Sequence, residues 1–287
     1  MIALKKTRSR LSTTEIKFKP LFLFFIASNS LLLAGSIISQ SWNLPQLLLL
    51  QWCGICGIFL IYRFNDFIDQ AHSFRFNIRR FLRIRLHILV IAQLIFITFP
   101  LAIHYLSGFR IVTLMSIGIL GILYSLNFPF KGRNNRIKNI FLIKNIFIGF
   151  AWGCLILVGA DVLNQQFATA LFLFTSLQVV IGSMIRDIPD TARDKTDHVR
   201  TLPALFGVEA TLKVLHALNV VSVIPAFIVY SNNGFLLFML IIITWRFISC
   251  VKIKKQNNSL LWTQTFNLLT CFLIFIILLV QYLFDYY

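Results

Sequence analysis

The chain has 287 residues, of which 58% are hydrophobic and only 13% are charged. Soluble domains carry about 25% charged residues, so this composition excludes an ordinary soluble enzyme, a disordered chain and a disulfide-rich secreted scaffold. The net charge of +17, from 27 basic and 10 acidic residues, must also be kept apart from the apolar surface. A polytopic helical membrane protein meets both conditions.

Nine stretches are long and apolar enough to cross a bilayer, which takes about 20 residues per helix. They cover residues 20–38, 46–64, 86–106, 110–127, 140–160, 167–186, 208–230, 234–251 and 260–284. Hydrocarbon leaves no water for unpaired backbone groups, so we expect helices rather than open strands. The predicted fold class is all-α: a basic cytoplasmic segment at 1–19, then one domain of nine transmembrane helices at 20–287.

The basic residues predict the orientation of these helices. They precede the first span and follow the second, fourth, sixth and eighth, and of all 27 only Arg110 falls on the other side. Because the positive side of a membrane protein is cytoplasmic, the N-terminus is predicted to lie in the cytoplasm. The charge thus follows membrane topology, and we expect contact with the lipid bilayer, no nucleic-acid binding and no obligate protein partner.

The acidic residues are few and clustered. Six of the 10 lie at the predicted cytoplasmic ends of the second and sixth spans: Asp66, Asp69, Asp187, Asp190, Asp194 and Asp197. The two segments align as Asp-x-x-Asp-x-Ala over residues 66–71 and 187–192. We interpret them as a weak internal repeat, with two half-sites that face one central cavity opening near the cytoplasmic side.

The spacing of these carboxylates indicates a metal site. Residues three and four apart share a helix face, and like charges so close repel unless a cation offsets them. Mg²⁺ suits such oxygen ligands, because it binds through one or two carboxylates plus substrate phosphates. Pro189 interrupts the second stripe, and a helix restarting near Asp187 would accommodate it. The alternative is a set of solvated carboxylates that pair with neighbouring arginines.

These motifs resemble those of the UbiA family of membrane prenyltransferases. The family's first motif, Asn-Asp-x-x-Asp-x-x-x-Asp, is matched at residues 65–69, with Ser73 in place of the final Asp. The second, Asp-x-x-Asp-x-x-x-Asp, is complete at 187–194 and leads into Arg-Thr-Leu-Pro-Ala-Leu-Phe-Gly at 200–207. Tyr124 and the basic residues that follow it are similar to the family's basic loop after the fourth span.

The resemblance implies transfer of an isoprenyl group from a polyprenyl diphosphate to a membrane-soluble acceptor, either an aromatic ring of the quinone-precursor type or a lipid-like alcohol. It implies Mg²⁺ as cofactor and catalytic roles for Asp66, Asp69, Asp187 and Asp190. The expected metal ligands are Asn65, Asp66, Asp69, Asp187, Asp190 and Asp194. The candidate diphosphate-binding residues are Asn65, Arg63, Lys131, Lys138 and Lys144.

Other readings stay open at this point. Ser73 removes one carboxylate, which is consistent with an altered substrate or with a degenerate protein lacking transfer activity. A transporter or lipid-binding protein would use the same charged cavity without chemistry, although its acidic groups are expected near the midplane rather than at span ends. The expected location is a bacterial plasma membrane.

Overall fold

The computed structural model describes residues 27–33, 35–36, 43–71, 77–130, 133–136, 140–161, 165–196, 199–225 and 233–255. Its helices are α1 (Leu44–Ala71), α2 (Ile78–Tyr105), α3 (Gly108–Ser125), α4 (Ile143–Ala160), α5 (Gln165–Asp187), α6 (Thr191–Thr196), α7 (Leu202–Val221) and α8 (Asn233–Lys255). Between α3 and α4 lie two short strands, β1 (Asn127–Phe130) and β2 (Arg133–Arg136).

Six of the described helices are long and apolar enough to cross a membrane. They are Leu44–Ala71, Ile78–Tyr105, Gly108–Ser125, Ile143–Ala160, Ala168–Asp187 and Leu202–Val221. They confirm the second to seventh predicted spans, and α8 coincides with the eighth. Large side chains on α2 such as Phe96 and Ile97 are 79% and 68% exposed, which suits a lipid-facing surface and would be a liability in water.

The count of nine spans stays a prediction. Of the first span, only residues 27–33 and 35–36 are described, and they are helical. The ninth span at 260–284 and the N-terminal segment 1–19 lie outside the described residues.

One feature that the sequence did not predict is the β-hairpin after α3. Its strands are antiparallel, with Asn127 opposite Arg136 and Phe130 opposite Arg133. The segment is too short to span a membrane, and pairing between its two arms satisfies backbone groups that no helix covers. The helical fold is therefore confirmed, with this hairpin as an addition at the predicted cytoplasmic side.

Close packing between α4 and α5 positions the cavity wall. A Cβ atom on Gly149 would lie 2.5 Å from Val180 Cγ2 and 2.7 Å from the Ser176 carbonyl oxygen. One turn further along α4, a Cβ on Gly153 would overlap the Ser176 hydroxyl. Small residues four apart let two membrane helices approach closely. This approach brings the start of α4 beside the end of α5.

The second acidic segment is not one helix. α5 ends at Asp187, and α6 begins only at Thr191, so the expected restart near Asp187 is wrong by one turn. Pro189 lies in the intervening turn, where its missing N–H breaks no helical hydrogen bond. The break separates Asp187 from Asp190 and Asp194 instead of aligning all three on one face.

Candidate functional site

A cavity of about 490 Å³ lies between α1, α2, α3, α4 and α5. Most of its wall is apolar, and its polar lining is concentrated at the end where the two acidic segments meet. The polar side chains at that end are those of Tyr62, Asn65, Tyr124, Ser125, Lys144, Ser183, Arg186, Asp187 and Asp190. The prediction that the two segments face one cavity is therefore confirmed for Asn65, Asp187 and Asp190.

Asp187 is the most enclosed carboxylate of the site. Its side chain is 7% exposed, and its Oδ1 atom lies 2.5 Å from the Lys144 ammonium nitrogen. Its Oδ2 atom accepts a hydrogen bond from Asn145 Nδ2 at 3.4 Å. The Asn145 Oδ1 atom in turn accepts a hydrogen bond from the Ser183 hydroxyl at 2.8 Å. Both oxygens of Asp187 are thus held by the first turn of α4.

The backbone that enters α4 is strained. Leu142, directly before the helix, has a φ of 61°, a conformation that is uncommon for a residue with a bulky side chain. Its carbonyl oxygen accepts hydrogen bonds from the backbone N–H groups of Asn145 and Ile146, both at 3.0 Å. The strained residue therefore lies two positions before Lys144, and such strain is often found beside functional groups.

The first acidic segment lies on α1 and is more open. Asn65 donates a hydrogen bond from Nδ2 to Asp69 Oδ2 at 3.3 Å. The Asn65 Oδ1 atom is buried and has no hydrogen-bond partner within the described part of the chain. A buried carbonyl oxygen without a donor is unfavourable, so this atom is available to a ligand in the cavity.

Asp66 occupies the rim rather than the cavity. Its carboxylate pairs with Arg63 at 3.3 Å, and its side chain is 42% exposed. The Arg63 guanidinium also lies over the Phe59 ring at 4.9 Å from the centroid. Neither Arg63 nor Asp66 is among the described residues that line the cavity. The two carboxylates of the expected stripe therefore have different partners: Asp66 pairs with Arg63, and Asp69 accepts a hydrogen bond from Asn65.

Asp190 and Asp194 also have different surroundings. Asp190 is exposed and lines the cavity, whereas Asp194 accepts a hydrogen bond from the Thr201 hydroxyl at 2.9 Å. Burial raises the pKa of Asp194, and the Thr201 hydrogen bond and Lys144 charge act in the opposite direction. Asp194 thus ties α6 to the start of α7, and its role as a metal ligand stays a prediction.

The donor set fits a magnesium ion that shares its ligands with a phosphate. The side chains that face the cavity offer carboxylate and amide oxygens, the hard ligands that Mg²⁺ prefers. Among the described residues, no three Asp, Glu, His or Cys side chains converge on one point. Protein carboxylates supply only part of the coordination of Mg²⁺ when phosphates are present. The orphaned Asn65 Oδ1 is a further candidate ligand.

Several polar residues of the site had no individual role in the sequence prediction. Arg186 lies directly before Asp187, and Ser183 lies one helical turn before it, so both follow from helical spacing around the motif. Tyr62 lies three residues before Asn65 and is hydrogen-bonded to Arg186. Tyr124 stacks on Phe147 with centroids 5.9 Å apart. Of the predicted residues, Ser73, Lys131 and Lys138 lie outside those described.

The rest of the cavity is a long apolar wall. α3 lines it from Ile111 to Ser125, a rise of about 21 Å at 1.5 Å per residue. Trp52 from α1 and Trp152 from α4 contribute to the wall away from the carboxylates. The fold and the site together define an integral membrane protein that holds charged groups of both signs at one end of an apolar chamber.

The chain belongs to the UbiA prenyltransferase family. The sequence pattern of that family matches residues 21–279, which confirms the resemblance inferred from the two acidic motifs. No curated protein sequence matches the chain.

Solved structures of UbiA homologues have the same fold. A homologue from Archaeoglobus fulgidus bound to GPP and Mg²⁺ is 15% identical with a TM-score of 0.67, covering 92% of this chain and 96% of its own. A homologue from Aeropyrum pernix K1 is 16% identical with a TM-score of 0.66, covering 90% of this chain and 97% of its own. The Archaeoglobus fulgidus homologue was also solved with DMAPP and Mg²⁺.

Proposed function

We propose that this protein transfers an isoprenyl group from a polyprenyl diphosphate to a membrane-soluble acceptor, of the quinone-precursor or lipid-like class, with Mg²⁺ as cofactor. One observation carries the proposal: carboxylates, an amide oxygen and two basic groups meet at one end of a long apolar cavity. A polyprenyl diphosphate has the complementary shape, with a charged head and an apolar tail.

The apolar wall has the length of a polyprenyl tail. An extended isoprene unit advances about 5 Å, from four bonds of about 1.5 Å each. The wall along α3 therefore matches about four units. The homologue structures with GPP, DMAPP and Mg²⁺ support a diphosphate at the polar end.

The residues at the polar end have complementary tasks. Lys144 and Arg186 donate to diphosphate oxygens, because a charged donor binds phosphate more strongly than a neutral one. The proposed metal ligands within the cavity are Asp187, Asp190 and Asn65. The other three carboxylates lie outside the cavity lining: Asp66, Asp69 and Asp194. Bound Mg²⁺ supplies positive charge to the diphosphate as it departs.

Transfer breaks the bond between the allylic carbon and the diphosphate oxygen, and the bonding electrons leave with the diphosphate. The acceptor forms the new bond to that carbon and loses a proton, which the released diphosphate can accept. The apolar wall excludes water from the reacting carbon, and the ring of Tyr124, which lines the cavity near the carboxylates, can stabilise a developing cation through its face.

The location of the protein is part of the proposal. The distribution of basic residues supports an N-terminus in the cytoplasm and a diphosphate site on the same side. We propose a bacterial plasma membrane as the host membrane.

The test uses the purified full chain in detergent with Mg²⁺ and radiolabelled polyprenyl diphosphates of two to eight isoprene units. A panel of aromatic and lipid-like alcohol acceptors is offered to each. We expect Mg²⁺-dependent diphosphate release and a prenylated product, both lost in Asp187→Asn and in Asp190→Asn at unchanged expression. Absence of release at every chain length would refute the proposed function.

A further inference from the structure

We propose that Lys144 couples metal binding to diphosphate binding: its ammonium group occupies Asp187 until a diphosphate provides another anion. This inference rests on the proposed function, and it assigns Lys144 a second role beyond contact with substrate. It predicts that the metal ion and the diphosphate bind together rather than independently.

The geometry at Asp187 leads to this inference. The Lys144 ammonium lies against Oδ1 and the Asn145 amide against Oδ2, so both oxygens already have partners. Lys144 is 24% exposed, whereas the Asp187 side chain is 7% exposed. The ammonium is therefore the mobile member of the pair, on a flexible four-carbon stem, and it lines the cavity itself.

A metal ion that arrives alone must compete with Lys144. A divalent cation and an ammonium at one carboxylate oxygen repel each other strongly in a partly buried site. The nearby positive charge of Arg186, which also lines the cavity, adds to this repulsion. Metal binding to Asp187 without a further anion is therefore disfavoured.

A diphosphate removes the conflict. Its oxygens accept charge-assisted hydrogen bonds from Lys144, and the ammonium can leave Asp187 without becoming an unpaired buried charge. The carboxylate is then open to the metal, which also binds the phosphate oxygens. Each ligand thus raises the affinity for the other, and such coupling is reciprocal.

The experiment measures binding without turnover. Mn²⁺ binding to the detergent-solubilised full chain is followed by electron paramagnetic resonance, with and without pyrophosphate and with free Mn²⁺ held constant by buffering. For the unmodified protein we expect pyrophosphate to tighten Mn²⁺ binding by about 5- to 150-fold, the usual range for coupled sites. Independent binding of the two probes overturns the proposal, and this arm needs no variant.

The variant Lys144→Met removes the competing ammonium. We expect it to bind Mn²⁺ alone more tightly by a similar factor of about 5 to 150, to bind pyrophosphate more weakly, and to lose most of the coupling. Lys144→Arg retains the charge, so its binding of Mn²⁺ alone should stay weak. Unchanged or weaker Mn²⁺ binding in Lys144→Met contradicts the proposal.

Lys213→Met is the matched control. Lys213 is 78% exposed and pairs with Glu209 on the surface at 3.8 Å, so its removal changes the net charge equally without touching the cavity. Its Mn²⁺ and pyrophosphate affinities should equal those of the unmodified protein. Prenyl transfer combined with independent binding refutes the coupling alone, whereas coupled binding without any transfer refutes the proposed function alone.

Discussion

α4 carries an ion pair at each of its ends, and the two pairs have different surroundings. At its start, Lys144 pairs with Asp187 of α5 at the polar end of the cavity. Just beyond its other end, Asp161 pairs with Arg110 of α3 at 3.4 Å. Each pair joins a residue at one end of α4 to an oppositely charged residue on a neighbouring helix, yet only the first faces the cavity.

In the Arg110–Asp161 pair at the end of α4, both side chains have further hydrogen-bond partners. Arg110 is 1% exposed and donates to the carbonyl oxygens of Val158 at 2.9 Å and Gly159 at 3.1 Å. Asp161 also accepts from the Ser107 hydroxyl at 2.6 Å. A guanidinium at a helix C-terminus satisfies carbonyl groups that the helix leaves unpaired. Arg110 therefore stabilises the fold and has no donor directed to a ligand.

This contrast explains the single exception in the distribution of basic residues. Arg110 is the one basic residue predicted on the non-cytoplasmic side, and the structure buries it against Asp161 and the end of α4. Its charge is neutralised inside the helical bundle instead of facing bulk solvent. An ion pair with every group satisfied thus indicates structure, whereas a pair that faces a cavity with a mobile lysine indicates function.

The largest effect is expected from a substitution that breaks the Arg110–Asp161 pair. Arg110→Met removes the guanidinium from two helix-end carbonyls and from the Asp161 carboxylate, which keeps the Ser107 hydroxyl as a donor. Asp161 is 26% exposed, so we expect a cost at the lower end of the range of about 3–5 kcal/mol that follows removal of one member of a buried pair. We expect the free energy of unfolding, measured by denaturant titration in mixed micelles, to fall by that amount. Prenyl transfer per folded molecule should stay near that of the unmodified protein, measured well below the unfolding temperature.

Arg110→Lys is the control for this prediction. It keeps the positive charge but cannot reach several acceptors with a planar fork, so its loss of stability should lie between the unmodified protein and Arg110→Met. Equal stability of all three proteins would show that the saturated network contributes nothing to the fold.

The second-largest effect is expected from a substitution that breaks the cavity pair, Lys144–Asp187. Asp187→Asn keeps the size of the side chain but removes the negative charge that faces Lys144 and that is proposed to bind the metal. Loss of one preorganised charged group at a reacting centre typically lowers turnover by about 10²–10³-fold, and we expect such a decrease in kcat. Thermal unfolding should shift less than in Arg110→Met, because Lys144 can turn toward the cavity. A larger stability loss than that of Arg110→Met would reverse the assignment of the two pairs.

A third prediction concerns the helix packing that creates the cavity pair. Gly149→Val adds a Cβ that would lie 2.5 Å from Val180 Cγ2 and 2.7 Å from the Ser176 carbonyl oxygen, so α4 and α5 must separate. Overpacking of this kind costs about 1–3 kcal/mol, and separation also moves Lys144 away from Asp187. We expect reduced stability together with a raised KM for the diphosphate.

Gly108→Ala serves as the control for the glycine substitution. A Cβ at Gly108, the first residue of α3, would meet no atom within 4 Å, so the change should be close to neutral. If Gly149→Val behaved like Gly108→Ala, the close approach of α4 and α5 would not be what positions the cavity pair.

The sequence predicted the spans and the acidic segments because both depend on local pattern. Long apolar runs indicate membrane helices directly, and six described helices match their predicted spans. Pairing between Lys144 and Asp187 was not predictable, because it depends on how closely two helices approach at Gly149 and Gly153. The break at Pro189 was foreseen, but its exact place depends on backbone turns that one proline does not determine.

The smallest expected effect concerns Asp66, the rim counterpart of Asp187. Its side chain is 42% exposed and pairs only with Arg63 among the ion pairs of the described residues, and exposed pairs contribute about 0–1 kcal/mol. Asp66→Asn should therefore leave thermal unfolding almost unchanged. Because Asp66 stands behind Asn65 rather than in the cavity wall, we expect kcat to fall less than in Asp187→Asn, with a higher Mg²⁺ concentration required for half-maximal activity.

The Mg²⁺ titration separates two explanations for this difference. If Asp66 contributes charge to the site from the rim, excess Mg²⁺ restores most of the activity of Asp66→Asn but none of that of Asp187→Asn. If Asp66 ligates the metal directly, its loss should equal that of Asp187→Asn at every Mg²⁺ concentration. The second result would mean that the two acidic segments close around the substrate and become equivalent, despite their different burial in this structure.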